Sequence, residues 1–77
     1  MTVIVKTKSG SVYLFEERHG KTCMINSRAC GILAEPVFPC VGKPMEVNFY
    51  EENWYSCEQA EDVSFVKTTP VVSIEIR

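Results

Sequence analysis

Seventy-seven residues with eight basic and ten acidic side chains, a net charge of −2, make a single domain spanning residues 1–77. Dividing so short a chain would leave neither part enough buried apolar surface to offset its conformational entropy. With 45% hydrophobic and 23% charged residues the chain is of the globular rather than the disordered kind, and its acidic balance argues against nucleic acid, whose binders carry a basic excess that displaces phosphate counterions. The apolar run in the opening M-T-V-I-V-K-T-K is too short for a signal-peptide core or a membrane span. The expected location is therefore the cytoplasm, with no membrane partner. Charge is unevenly spread: residues 1–45 hold six basic and three acidic side chains, residues 46–77 two and seven.

Thr2 to Thr7 is a β-branched run and Ser11 to Glu17 a second strand candidate. Lys8-Ser9-Gly10 between them has the glycine that a three-residue hairpin loop with a bulge requires. Val3 and Val5 share one face and Ile4 the other, while Tyr13 and Phe15 oppose Val12 and Leu14; apolar groups on both faces point to a sheet curled into a barrel. His19-Gly20-Lys21 marks a turn, Thr22 to Asn26 a third strand, and Asn26-Ser27-Arg28 another turn. Ala29 to Pro44 contains three of the four prolines and two of the four glycines, which predicts a meandering connection with one strand near Gly31 to Ala34. Its apolar content, Ile32, Leu33, Val37, Phe38 and Val41, predicts that it packs against the domain.

Met45 to Glu51 returns to strict alternation, with Met45, Val47 and Phe49 on one face. Trp54 to Cys57 reads as a strand in preference to a helical turn over Trp54 to Glu61, and Gln59 to Asp62 as a loop before Val63. Val63 to Arg77 then reads as two strands joined by a corner near Thr69 to Val71, because Pro70 fixes its own φ and lacks an N–H. The predicted architecture is all-β: a small, partly open SH3-like barrel of five or six short strands. Val5, Leu14, Val47, Phe65, Val72 and Ile74 are its expected core.

No constellation of residues points to catalysis. His19 and Cys23 lie four positions apart on a strand-turn path, which does not hold a nucleophile against a base. The adjacent acids Glu16-Glu17, Glu51-Glu52 and Glu61-Asp62 face opposite ways on a strand, whereas acid–base chemistry needs two carboxylates across a cleft. Cys23, Cys30, Cys40 and Cys57 are separated by six, nine and sixteen residues, unlike the close pairs of structural zinc sites. Mostly buried thiols are the favoured reading over disulfides or a metal, and neither a metal nor a cofactor is expected. Mass measurement of the native protein should show four free thiols and no zinc, with stability indifferent to reductant and chelator.

The segment with the most distinctive character is Asn48 to Asp62, which gathers Phe49, Tyr50, Trp54 and Tyr55 with five acids and no lysine or arginine. Large aromatic area beside a charged rim is what a recognition surface needs, and a structural role for the aromatics in the core is the competing account. Alternation turns Tyr50 away from the Met45, Val47 and Phe49 face. The expected partner-binding residues are thus Tyr50, Glu51, Glu52, Trp54 and Tyr55, facing a protein with a basic surface. Self-association is left open. A second class of function, a small-molecule or nucleotide site at the barrel mouth or a subunit interface, would show as ligand-dependent melting.

Thr7 to Tyr13, T-K-S-G-S-V-Y, and Thr68 to Ile74, T-T-P-V-V-S-I, resemble the two ends of small uncharacterised β proteins encoded by bacterial viruses. The matching segments cover under a fifth of the chain. The strand–corner–strand ending is also similar to the close of an SH3-like barrel. The resemblance implies a cytoplasmic accessory protein of the infected cell that acts by binding.

Overall fold

The computed structural model describes the backbone of residues 1–53 and 58–77 and the side chains of residues 1–51 and 62–77. Its first half is folded by local turn chemistry. Strand β1 (Thr2–Thr7) runs antiparallel to β2 (Val12–Arg18), and the loop between them closes with Gly10 N–H on the Thr7 carbonyl at 2.9 Å and Thr7 N–H on the Ser11 carbonyl at 3.0 Å. Strand β3 (Lys21–Ile25) follows through His19 and Gly20 alone. Both have positive φ, 51° and 76°, the two-residue turn whose twist matches that of the flanking strands. At the next turn, into β4 (Cys30–Leu33), Asn26 N–H bonds the Ala29 carbonyl at 2.9 Å. The Asn26 side chain accepts Arg28 N–H at 3.0 Å and donates to the Val12 carbonyl at 2.8 Å.

After the predicted meander come β5 (Pro44–Asn53) and β6 (Glu58–Ile76). The six strands pair in chain order and β6 pairs back on β1, so the sheet is a closed antiparallel barrel. It is closed rather than partly open because β6 serves two neighbours in turn. Its first part, as far as Pro70, lies along β5, and residues from Val71 to Ile76 lie along β1. The expected corner at Pro70 is therefore no corner. One strand of 19 residues runs through it, and Pro70 stands where the pairing with β5 ends, a position that does not require an N–H in a ladder. Gln59 to Asp62, expected as a loop, belongs to the same strand. The reading of Trp54 to Cys57 falls outside the described residues.

Val5, Tyr13, Phe15, Met24, Met45, Val47, Phe49 and Val71 fill the barrel, with Val3, Ala29, Leu33, Val37 and Val66 packed against them. The expectation that the Ala29 to Pro44 connection packs on the domain holds in part: Leu33 and Val37 lie against the core, whereas Phe38 and Val41 are exposed. Of the expected core residues Val5 and Val47 are buried and Leu14 is half-buried, but Phe65, Val72 and Ile74 are exposed. For Phe65 the neighbour Val66 takes the inner side, opposite buried Val47, and adjacent strand residues face opposite ways. Val72 falls in the register shift between the Lys6–Ser73 and Thr7–Val71 pairs, so Val71 turns inward instead. Ile74 stands beside buried Val5 but beyond the end of β5, where, among the described residues, no further strand covers it. Ile74→Ala should then destabilise by about 1 kcal/mol in urea unfolding, below the range of a fully buried isoleucine.

One buried polar group locks the junction of β5 and β6. The Thr68 hydroxyl accepts Met45 N–H at 3.0 Å and donates to the Thr69 carbonyl at 2.7 Å. Thr68→Val keeps the shape and removes both bonds, leaving Met45 N–H unsatisfied where water is excluded. Chemical denaturation should show a loss of about 1–3 kcal/mol.

Candidate partner-binding face

Residues directly opposite one another in paired strands share a face of the sheet, and the register assembles one row across four strands. Cys23 on β3 lies opposite Ile32 on β4, Ile32 opposite Tyr50 on β5, and Tyr50 opposite Val63 on β6. Phe49, next to Tyr50, points into the core, so this row lies on the outer face. Its exposure rises along the row: Cys23 is buried, Ile32 and Tyr50 are half-buried, and Val63 is 50% exposed. Two residues on from Val63, Phe65 adds a ring that is 56% exposed and stands opposite Asn48. Ile32, Tyr50, Val63 and Phe65 thus form an apolar outer surface ending in two largely open side chains.

Tyr50 also borders an open groove of about 450 Å³ whose other walls include Lys21, Thr22, Ile32, Ala34 and Pro36. At the far end of the same face Glu46 pairs with Lys67 at 4.0 Å, a solvated contact that contributes little to stability. The acidic rim is divided. Glu51 stands opposite Gly31 and lines a separate groove with Ser27 and Arg28 of the β3–β4 turn and Cys30 at the start of β4, so it does not join Tyr50. Glu52 is paired in the backbone with Gln59 and its side chain, like Trp54 and Tyr55, lies outside the described residues. Of the five residues expected at the surface, Tyr50 is placed on the apolar outer face and Glu51 beside it on another.

Phe65 belongs to the core expected from the pattern, although V-S-F-V carries the signal that either Phe65 or Val66 must face outward. A smaller, more enclosed cavity lies between β1, β2 and the connection that follows β4. It measures about 260 Å³ and is lined by Val3, Phe15, Leu33, Val37, Glu17 and Thr22 among others. Among the described residues no group of three or more histidine, cysteine or acidic side chains could hold a metal ion. Cys23 is buried, Cys30 half-buried and Cys40 exposed, and no disulfide joins these three to one another. His19 is exposed in its turn. No protein-family model matches the chain, and neither the curated proteins nor the solved structures searched yield a match to it.

Proposed function

We propose that this chain is a noncatalytic protein-binding module that meets its partner through the outer face of β4, β5 and β6. The observation that carries the reading is the exposure of Val63 and Phe65 beside Tyr50 on one continuous sheet face. Interfaces draw most of their energy from a few buried aromatic and aliphatic anchors surrounded by contacts that exclude water. A tyrosine, a phenylalanine and a valine held by a rigid sheet supply such anchors at low entropic cost. The acids of residues 46–62 suit a partner that presents lysine or arginine around an apolar projection. Six antiparallel strands, the last shared between two neighbours, support describing the domain as an SH3-like barrel. The resemblance at both chain ends supports a viral accessory protein acting in the bacterial cytoplasm.

The test compares proteins retained from bacterial lysate by the immobilised parent and by folded Phe65→Ala and Tyr50→Ala variants, with identification by mass spectrometry. A partner retained by the parent should be lost from both variants. Its purified form should bind Phe65→Ala roughly thirtyfold more weakly, the consequence of losing about 2 kcal/mol at an anchor. If parent and both variants bind that partner equally, the outer face is not the site. The basic turn of Arg18, His19 and Lys21 then becomes the first place to look.

A further inference from the structure

Strand β6 has a second unsatisfied region, distinct from the Tyr50 face. Thr2 and Arg77 exchange both backbone hydrogen bonds, at 2.7 and 2.8 Å. In an antiparallel ladder bonded and non-bonded pairs alternate, so Glu75 and Ser73 also direct their N–H and C=O groups at β1. Ile74 and Ile76 direct theirs the opposite way. On that side β5 ends its pairing at Pro70. Val71 is closed off by Gly42 N–H on its carbonyl at 2.8 Å and by its own N–H on the Lys43 carbonyl at 2.9 Å. Beyond Val71, among the described residues, no strand pairs with this edge. It carries Val72, Ile74 and Ile76, exposed at 53%, 36% and 66%. An open edge with alternating apolar side chains is the surface that natural sheets ordinarily charge, shorten or cover.

We propose that a second copy of this chain covers it, by antiparallel pairing of β6 with β6 about a two-fold axis at Ile74. Self-complementarity decides the occupant. In that register Ile74 meets Ile74 and Val72 meets Ile76, while Ser73 meets Glu75, so no like charges are directly opposed. Each Glu75 is already matched by Arg77 of its own chain at 3.1 Å. The outward N–H and C=O groups of Ile74 fall directly opposite their own counterparts, as a bonded pair requires. Ile74 and Ile76 stand opposite Val5 and Val3 on β1, both of which belong to the core or pack on it. Pairing therefore places the second copy's isoleucines where the barrel's inner layer otherwise stops, and the two sheets join through β6. The interface is isologous and closed, so it ends at a dimer. It leaves Tyr50, Val63 and Phe65 free on both copies and does not depend on their role.

Analytical ultracentrifugation over the micromolar range tests the pairing on the full chain. The parent should pass with concentration from 8.7 kDa to twice that mass. Ile74→Lys, which places two unpaired cations at the axis, should weaken association at least about tenfold. Ile76→Pro removes an N–H that the barrel does not use and keeps the fold; it should weaken association as well, with circular dichroism unchanged. Phe65→Ala should associate like the parent. A parent that stays at 8.7 kDa throughout, folded Ile76→Pro that dimerises like the parent, or a dimer abolished by Phe65→Ala would each overturn the proposal.

Discussion

Replacing Phe49 by alanine is expected to remove about 3–5 kcal/mol of stability, the cost typical of emptying a buried aromatic site. Phe49 is 1% exposed and, among the described residues, the largest of the fully buried side chains. Its place in the barrel comes from the alternation of Met45, Val47 and Phe49, all of which the structure buries. A closed ring of strands cannot readily collapse onto the space left by the ring, so the cavity term adds to the lost transfer energy. A domain of this size has roughly 4–12 kcal/mol in total. Phe49→Ala should therefore be partly or wholly unfolded at 37 °C, with a large fall in the melting temperature measured by circular dichroism. A variant melting within a few degrees of the parent would contradict the core described here. The same experiment on Phe65→Ala should give a shift several times smaller, because that ring is more than half exposed, and the contrast separates the core face of the hairpin from its outer face.

Gly31→Ala should be nearly as damaging, by overcrowding instead of loss. A Cβ placed on Gly31 would overlap the Tyr50 carbonyl oxygen, lie 2.8 Å from the Tyr50 carbonyl carbon and 3.0 Å from Cδ2 of Phe49. The nearest two of these atoms are backbone, which cannot rotate aside, so β4 must separate from β5. Forcing a methyl into a packed site costs about 1–3 kcal/mol and occasionally more; a clash with main chain belongs at the upper end. Because Gly31 stands opposite Glu51 and beside the Ile32–Tyr50 pair, the variant should also disturb the outer face. Amide hydrogen exchange should show protection lost first in β4 and the adjoining part of β5, with β1 and β2 affected less. A Gly31→Ala protein with parental melting and exchange would mean that the two strands do not approach so closely.

The reach of sequence reasoning differed between the two halves of the chain for a physical reason. Turns are local. Lys8-Ser9-Gly10, His19-Gly20 and Asn26-Ser27-Arg28 specify their hairpins through backbone conformations of adjacent residues, and all three loops were found where the sequence places them. The same locality made β5 legible, because the unbroken alternation from Met45 to Tyr50 leaves little choice of which set lies inside. Tyr50 was likewise placed outward by its distance from Phe49, and it is on the outer face.

In β6 the pattern was equally regular, yet it misled. Alternation states which residues share a side but not what stands against that side. Val72, Ile74 and Ile76 do alternate with Ser73, Glu75 and Arg77, but only the tertiary structure decides that β5 has ended by Pro70 and leaves them uncovered. The choice of Val71 over Val72, and of Val66 over Phe65, depends on where the ladder slips a residue against β1 and on which member of an adjacent pair meets Val47. Those contacts join residues some twenty to seventy positions apart in the chain. By itself the sequence determined an all-β domain, its hairpin turns and the inward set of β5. Barrel closure by one long strand, and the exposure of Phe65 and Ile74, follow from pairing between distant segments, which no local spacing encodes.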